Sequence, residues 1–364
     1  MIEHDLSPAV SRRQLIGHAA LTTAAIGLAA HPHAALGVGS PTATPKDDRP
    51  RLPLRLLARN RLSDELARRI QEVSPQITIL PYERFAEELP AAHAVIGKVL
   101  PEEFPLARQL RWVQVTSGGV DTILTPEFAA SDVILTNVSG AYASPIAETA
   151  IAFMLALTRG VGFQSFSRKW EGFSVKQVEL RGLTMGIIGL GSIGREVARR
   201  ARAFDMRVIA VDAEPMFHER YRMADELWLV DTHLDELLAR SDVLVSCAPL
   251  TARTRGMLGA KQFALMKPSA YFVNVTRGGI VDTAALLAAV QSQKLAGAGL
   301  DVTDPEPLPP DHPLWKEPNV IITPHKAGGS QFSSAREEEI FLENVKRYAH
   351  GLPMLNVIDK QKGY

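Results

Sequence analysis

Cysteine is nearly absent: Cys247 is the only one in 364 residues. One thiol excludes an internal disulfide and any zinc site built from several cysteines. An excess of charge of one sign is also missing, because 40 Lys and Arg balance 40 Asp and Glu for a formal net charge of +0. That removes the basic surplus on which nucleic-acid binding draws. The body of the chain has no apolar run of about 18 residues, the length of a membrane-crossing helix, so no stable membrane insertion is expected. Internal repeats and low-complexity tracts are lacking as well. What remains is a chain that is 46% hydrophobic and long enough to bury two cores.

The first fifty residues differ from the rest. Ser11-Arg12-Arg13-Gln14-Leu15-Ile16 precedes a mildly apolar run over 17–30, interrupted by His18, and then a Pro/Thr/Asp-rich stretch over 40–50. Paired arginines before an Ala/Leu/Gly run read as a twin-arginine export signal, with a disordered basic tail as the alternative. Cleavage is expected within 29–37, where Ala35-Leu36-Gly37 is the nearest approach to Ala-x-Ala. Residues 1–50 are therefore read as leader and linker, and the mature protein as periplasmic or otherwise exported, or cytoplasmic if the leader is misread. An exported chain would have to bind a cofactor before transport and carry it along.

Beyond residue 51 the chain becomes periodic. Strand-like runs at 54–58, 77–80, 94–96, 112–115 and 133–136 alternate with helical stretches such as 63–72. An Ala-rich helix over 144–159 follows, with Ser144 at N-cap and Pro145 at N1. Next comes Gly186-Ile187-Ile188-Gly189-Leu190-Gly191-Ser192-Ile193-Gly194, between a strand over 184–188 and a helix over 195–201. In such a strand-to-helix turn Gly189 permits the tight turn, Gly191 lets backbone approach a pyrophosphate, and Gly194 allows close helix packing. The helix N-terminus stabilises an anion by roughly 0.3–1 kcal/mol. The next strand, 207–211, ends in Asp212, placed to accept hydrogen bonds from an adenosine ribose and to favour NAD over NADP. Further strands are expected at 243–247, 271–275, 299–302 and 320–323, with a closing helix over 334–349.

Three ionisable residues stand near the ends of the late strands: Arg277 after Asn274-Val275-Thr276, Glu306 in Asp304-Pro305-Glu306-Pro307, and His325 after Ile322-Thr323-Pro324. Open α/β sheets bind ligands at such ends. Reduction of a 2-keto acid needs a cation for the carboxylate and ketone, a proton donor, and a partner for that donor. Arg277 offers bidentate geometry, His325 has an imidazole whose free pKa is about 6.5, and Glu306 can orient it. Taken singly, Arg277 could instead cap a loop or pair with Asp282, Glu306 could be a solvated turn residue, and His325 could serve a backbone carbonyl.

Together these residues resemble the D-isomer-specific 2-hydroxyacid dehydrogenases over roughly residues 90 to 358. The motifs are Trp112-Val113-Gln114-Val115-Thr116-Ser117-Gly118-Gly119-Val120-Asp121, the glycine fingerprint, Val273-Asn274-Val275-Thr276-Arg277-Gly278-Gly279, Leu300-Asp301-Val302 through Glu306-Pro307, and Thr323-Pro324-His325. The resemblance implies an α/β chain of two domains: a flavodoxin-like substrate domain (51–148 plus 329–364) split around an inserted, doubly wound Rossmann NAD-binding domain (149–328). It implies a homodimer joined through the latter. It implies NAD-dependent interconversion of a 2-keto acid and a D-2-hydroxy acid, with Arg277 on the substrate's carboxylate and carbonyl oxygen, His325 as acid/base and Glu306 as its partner. Gly118 and Gly119 amides would hold the carboxylate, Ser192 and Ile193 the pyrophosphate, and Asp301 the nicotinamide carboxamide. Pro249 and Thr276 complete the implied cofactor contacts, and no metal is called for.

The chain departs from that pattern at Cys247, where many members carry histidine, at Thr303-Asp304, and at Lys326, which is expected to face solvent. Glu306 argues against formate oxidation, whereas phosphite oxidation and an NAD-responsive, corepressor-like binding role remain alternatives. Substrate side-chain specificity is expected around 97–100 and 139–143, with Tyr142 either lining that pocket or packing at the helix start.

Overall fold

In the computed structural model residues 51–161, 170, 176–215 and 223–364 are described, so the proposed leader over 1–50 lies outside the described residues. Mostly apolar runs make the first sheet, buried on both faces except at the edge strand Ile77–Leu80, where Thr78 is exposed. β1 (Leu54–Ala58), β2 (Ile77–Leu80), β3 (Ala94–Ile96), β4 (Trp112–Gln114) and β5 (Ile134–Thr136) pair in the order β2-β1-β3-β4-β5, all parallel. Parallel strands are covered by helices on both sides and so read as continuous hydrophobic runs. Three helices connect them. In α1 (Asp64–Val73) the Ser63 side chain accepts from Leu66 N–H at the N-cap, and Leu66 and Ile70 are buried. The others, α2 (Phe85–Glu88) and α3 (Pro126–Ala130), bury Phe85 and Phe128 on the opposite face.

The long helix α4 (Ala143–Arg159) begins two residues before Pro145, the expected first helical residue. Tyr142 stands at the N-cap with no side-chain bond there, while Ser144 donates to Glu148 (3.0 Å) and accepts from Arg200 (2.8 Å). The helix stops at Gly160, which takes a left-handed φ of 66°.

Among the described residues the second sheet has seven strands: β6 (Thr184–Ile188), β7 (Arg207–Asp212), β8 (Glu226–Leu229), β9 (Val243–Ser246), β10 (Tyr271–Asn274), β11 (Gly297–Leu300) and β12 (Val320–Ile322). They run in the order β12-β11-β10-β9-β6-β7-β8, again all parallel. On one face α4 and α5 (Ser192–Arg202) cover Met185, Ile187, Val208 and Val245. On the other, α6 (Val230–Arg240), α7 (Ala260–Leu265) and α8 (Thr283–Gln291) cover Ile188, Leu244, Phe272 and Ala298. The register of β11 differs from the expected 299–302, and the reason is crowding. A Cβ on Gly299 would lie 2.6 Å from that of Phe153 in α4, and one on Gly297 would lie 2.6 Å from the Asn319 carbonyl. Weak strand formers occupy β11 because α4 and the neighbouring chain press directly on the backbone.

The chain then returns to the first sheet through α9 (Ser333–Ala349), whose Ile340, Phe341, Val345 and Tyr348 share a core with Leu66 and Ile70. Trp112 stacks on Tyr348 with ring centroids 5.4 Å apart and donates its indole N–H to Thr136 (2.8 Å). Both sheets reverse direction of growth once, between β1 and β3 and between β6 and β9, and open sheets bind ligands at such switch points. Among the described residues no helix is long and apolar enough to cross a membrane.

Asn344 fastens the returning segment. It is fully buried, donates to Gln114 (2.8 Å) and the Leu355 carbonyl (3.1 Å), and accepts from Leu355 N–H (2.7 Å). Replacing Asn344 with Ala should cost about 2–4 kcal/mol by leaving buried partners unsatisfied. Urea unfolding should show this as a lower midpoint at unchanged slope.

Candidate functional site

The dinucleotide fingerprint occupies the turn from β6 into α5. Gly189 has φ 89° and donates to Val211 O (2.8 Å), and an added Cβ would lie 3.0 Å from the Ala248 backbone. On Gly194 an added Cβ would lie 2.1 Å from Gly189 O, so the helix rests on the turn itself. Gly191 is the N-cap of α5, without a side-chain cap, and an added Cβ there would meet nothing within 4 Å. The first turn of α5, which includes Ser192 and Ile193, thus opens onto space rather than onto a capping side chain, the arrangement an anion requires. At the end of β7, Asp212 accepts from Leu190 N–H (2.7 Å) and Glu214 N–H (2.8 Å), which holds its carboxylate against the glycine turn.

Beside this turn lies a cavity of about 760 Å³, whose walls include Gly189, Gly191, Asp212 and Pro249. Several wall elements escaped the sequence reading, among them residues 250–255, and two come from the first-sheet part of the chain. One is Asp121, and the other is residues 360–364, where Gly363 N–H bonds Asp359 O (2.8 Å) and Lys362 pairs with Glu214. Nothing in that short polar segment announces a cavity wall. Its base is tied to the first sheet, with Ile358 N–H donating to Leu135 O (2.8 Å).

The remaining candidates stand beyond β10, β11 and β12, three adjacent strands. Arg277 donates from Nε to Asp121 Oδ1 (3.0 Å) and from Nη1 to Thr276 O (2.8 Å). Its guanidinium lies over Gly119, where an added Cβ would be 2.0 Å from Nη2. Asp282 is engaged elsewhere, capping α8 by accepting from Ala285 N–H (3.0 Å). The Gly118–Gly119 turn is braced by Asn137 donating to Gly118 O (2.6 Å) and Ser117 donating to Gly119 O (2.7 Å). Thr276 faces inward, its hydroxyl 3.4 Å from Ser246 O.

Asp301, only 2% exposed, closes β11. Its carboxylate accepts from Thr323 Oγ1 (2.6 Å), Lys326 N–H (2.9 Å) and Ala327 N–H (2.9 Å), and its carbonyl accepts from His325 N–H (2.8 Å). The clamp holds His325 at φ 53°, a left-handed conformation that costs a non-glycine residue roughly 1–2 kcal/mol. From there His325 Nδ1 meets Glu306 Oε1 at 2.6 Å, with side chains 42% and 43% exposed. The ring's partner is this carboxylate, not a backbone carbonyl. Because Nδ1 is occupied by Glu306, Nε2 is the nitrogen that can face a substrate.

The segment carrying Glu306 is itself packed against the segment carrying Arg277. A Cβ on Gly278 would lie 1.9 Å from Thr303 O, Thr283 donates to Asp304 O (2.6 Å), and Thr303 donates to Pro305 O (2.8 Å). Thr303 is therefore a loop brace. Lys326 is exposed, as expected, and the Tyr142 hydroxyl is bound to Thr116 O (2.8 Å). The 97–100 segment is pinned by Arg59, which donates to Lys98 O (3.0 Å) and pairs with Glu103.

Comparison with known proteins gives a consistent picture. Residues 151–327 match the sequence profile described as D-isomer specific 2-hydroxyacid dehydrogenase, NAD binding domain. The chain is 37% identical over 284 residues to a D-3-phosphoglycerate dehydrogenase of Archaeoglobus fulgidus, covering 76% of this chain and 53% of that one. It thus spans about half the length of that relative. A glyoxylate reductase of Korarchaeum cryptofilum is 34% identical over 267 residues, covering 71% of this chain and 79% of that protein. Among solved structures, a D-isomer specific 2-hydroxyacid dehydrogenase from Xanthobacter autotrophicus in complex with NADPH and MES superposes with a TM-score of 0.71 at 26% identity, covering 85% of this chain and 99% of that one.

Cys247, on the wall of the cavity, is buried, and burial pushes its thiol pKa up. The reactive thiolate is thereby depleted at neutral pH. Labelling with an aromatic disulfide reagent at pH 8 should be far slower in the folded protein than after denaturation. Equal rates would show that the thiol is open.

Proposed function

This chain belongs to the D-isomer-specific 2-hydroxyacid dehydrogenase family, and from that premise we propose that it is a nicotinamide-dependent oxidoreductase interconverting a 2-keto acid and a D-2-hydroxy acid. The observation that carries this reading is the 2.6 Å contact between His325 Nδ1 and Glu306, an acid/base pair standing beyond β12 and β11, with Arg277 beyond β10, the next strand in the sheet.

A dinucleotide suits the residues present, since the glycine turn leaves a cradle at Gly191 and the walls of the adjoining cavity of about 760 Å³ include Gly189, Gly191 and Asp212. Gly189, Gly191, Ser192, Ile193 and Gly194 would hold its phosphates, Asp212 its ribose, and Pro249, Thr276 and Asp301 would border the rest. When bound in reduced form, such a group supplies a hydride to the keto carbon. We assign NAD rather than NADP on the strength of Asp212, whose carboxylate on the cavity wall would repel a 2′-phosphate.

The chain's own groups perform the remaining work. Arg277 offers charge-assisted hydrogen bonds to the substrate's carboxylate and carbonyl oxygen, from a position over Gly119 that brings the substrate to the Gly118–Gly119 turn. His325 delivers a proton from Nε2 to that oxygen during reduction and takes it back during oxidation. Glu306 accepts from Nδ1–H in both states, fixing tautomer and ring plane, and the proton transfer contributes about 10²–10⁴-fold. Arg12-Arg13 support the further proposal that the protein is exported by the twin-arginine route. Fractionation with N-terminal sequencing should find a shortened chain outside the cytosol, and an intact chain confined to the cytosol would defeat that proposal.

NADH oxidation with glyoxylate, hydroxypyruvate, pyruvate and longer 2-keto acids should show turnover with at least one of them. Silence from a folded protein that binds NADH would refute the activity. His325→Gln should lower kcat by about 10²–10⁴-fold while NADH affinity holds.

A further inference from the structure

We propose that Asp121 is a positioning residue for Arg277, a carboxylate of the first lobe that sets the angle at which the second lobe's guanidinium meets the substrate. The proposal rests on the reading of Arg277 as the substrate-binding arginine.

An arginine side chain has several rotatable bonds and can deliver its charge without delivering an edge. Two contacts fix the edge here. The Nη1 bond to Thr276 O is made to the residue immediately before Arg277, so it moves with that strand end and carries no information about the other lobe. The Nε bond to Asp121 Oδ1, at 3.0 Å and between residues 156 apart in the chain, ties the group to the turn that begins at Gly118. Both side chains are shielded, at 26% and 19% exposed, so the pair is screened less than a surface ion pair.

The steric evidence agrees. A Cβ on Gly119 would lie 2.0 Å from Arg277 Nη2 and 2.9 Å from Asp121 Oδ1, so glycine, carboxylate and guanidinium occupy one small volume and each limits the others. The turn is in turn rooted in the core by Val120, which is 3% exposed and whose carbonyl accepts from Ile123 N–H (3.0 Å). With Nε and one Nη1 hydrogen engaged, the guanidinium's remaining donors are the second Nη1 hydrogen and the pair at Nη2, and Nη2 lies over Gly119.

A charge argument separates positioning from simple binding. A site that needed only positive charge for an anionic substrate would be weakened by a carboxylate bonded to the arginine that meets it, because that carboxylate repels the ligand. The pairing is useful if the reaction needs a particular edge of the guanidinium, with both the carboxylate and the carbonyl oxygen of a 2-keto acid served at once. Asp121 also forms part of the wall of the cavity beside the glycine turn.

The test compares Asp121→Ala and Asp121→Asn in the full chain. Ala should lower kcat about 10- to 100-fold, in keeping with the cost of a misplacement of around 1 Å, with a smaller rise in KM. Asn retains an acceptor for Nε–H and should recover most of the lost kcat, an outcome that a general loss of folding would not produce. In an Arg277→Lys background, which has no Nε–H, Asp121→Ala should have little further effect, whereas the same loss as in the parent would show that Asp121 acts independently and overturn the proposal. A crystal structure of the Asp121→Ala protein supplies a readout that needs no turnover. The guanidinium should have left Gly119, and its persistence there would also overturn the proposal. If Asp121→Ala fails to fold, Asp121→Ser gives the same comparison. If the parent reduces no 2-keto acid, the activity reading fails while the crystallographic result still judges Asp121.

Discussion

A buried carboxylate holds this site together. Asp301 sits in the dry end of the second sheet, where an ionised group without partners would be expensive. It is tolerated because Thr323, Lys326 and Ala327 turn their donors toward it. The dependence runs both ways, since those donors would be orphaned without it. A loop with so few alternatives can carry a histidine in a backbone conformation that histidine does not prefer, and that conformation turns the ring toward Glu306.

From that clamp the active groups are linked by packing rather than by long hydrogen-bond chains. Gly278, next to Arg277, touches the backbone of Thr303, three residues before Glu306, and Glu306 touches His325. Arginine, glutamate and histidine therefore belong to loops that lean on one another, so a shift in one is felt by the others.

Much of this could be read without coordinates. β1, β3 and β6 are short, mainly apolar runs because parallel strands bury both faces, the edge strand β2 is apolar at three of its four positions, and the bounds of all four follow directly from the sequence. β11 lies two residues earlier than the expected 299–302, because Gly297-Ala298 looks like a loop until Asn319 is seen against Gly297. The start of α4 was misplaced because Ser144, a natural capping residue, spends its hydroxyl on Glu148 and Arg200. In the site, Arg277, Glu306 and His325 were legible because each follows a recognisable strand. The contact of Asp121 with Arg277 was not, since no periodicity relates residues so far apart. Nor was the first duty of Asp301, because a carboxylate at a strand end looks the same whether it awaits a ligand or already serves its own loop.

The contrast between Asp301 and the Glu306–His325 pair bears on how such a protein would age. Asp301 is committed to backbone amides and a hydroxyl inside the fold, whereas Glu306 and His325 are nearly half exposed and bonded chiefly to each other. A lineage released from the reaction would shed the exposed pair at the pace of any surface site and keep Asp301, because discarding it would unmake the loop. Among the descendants of such a chain, an aspartate at the end of this strand would mark the loop's architecture whether or not the reaction persists. Under the proposed reading, the carboxylate and imidazole together would record that the chemistry is still under selection.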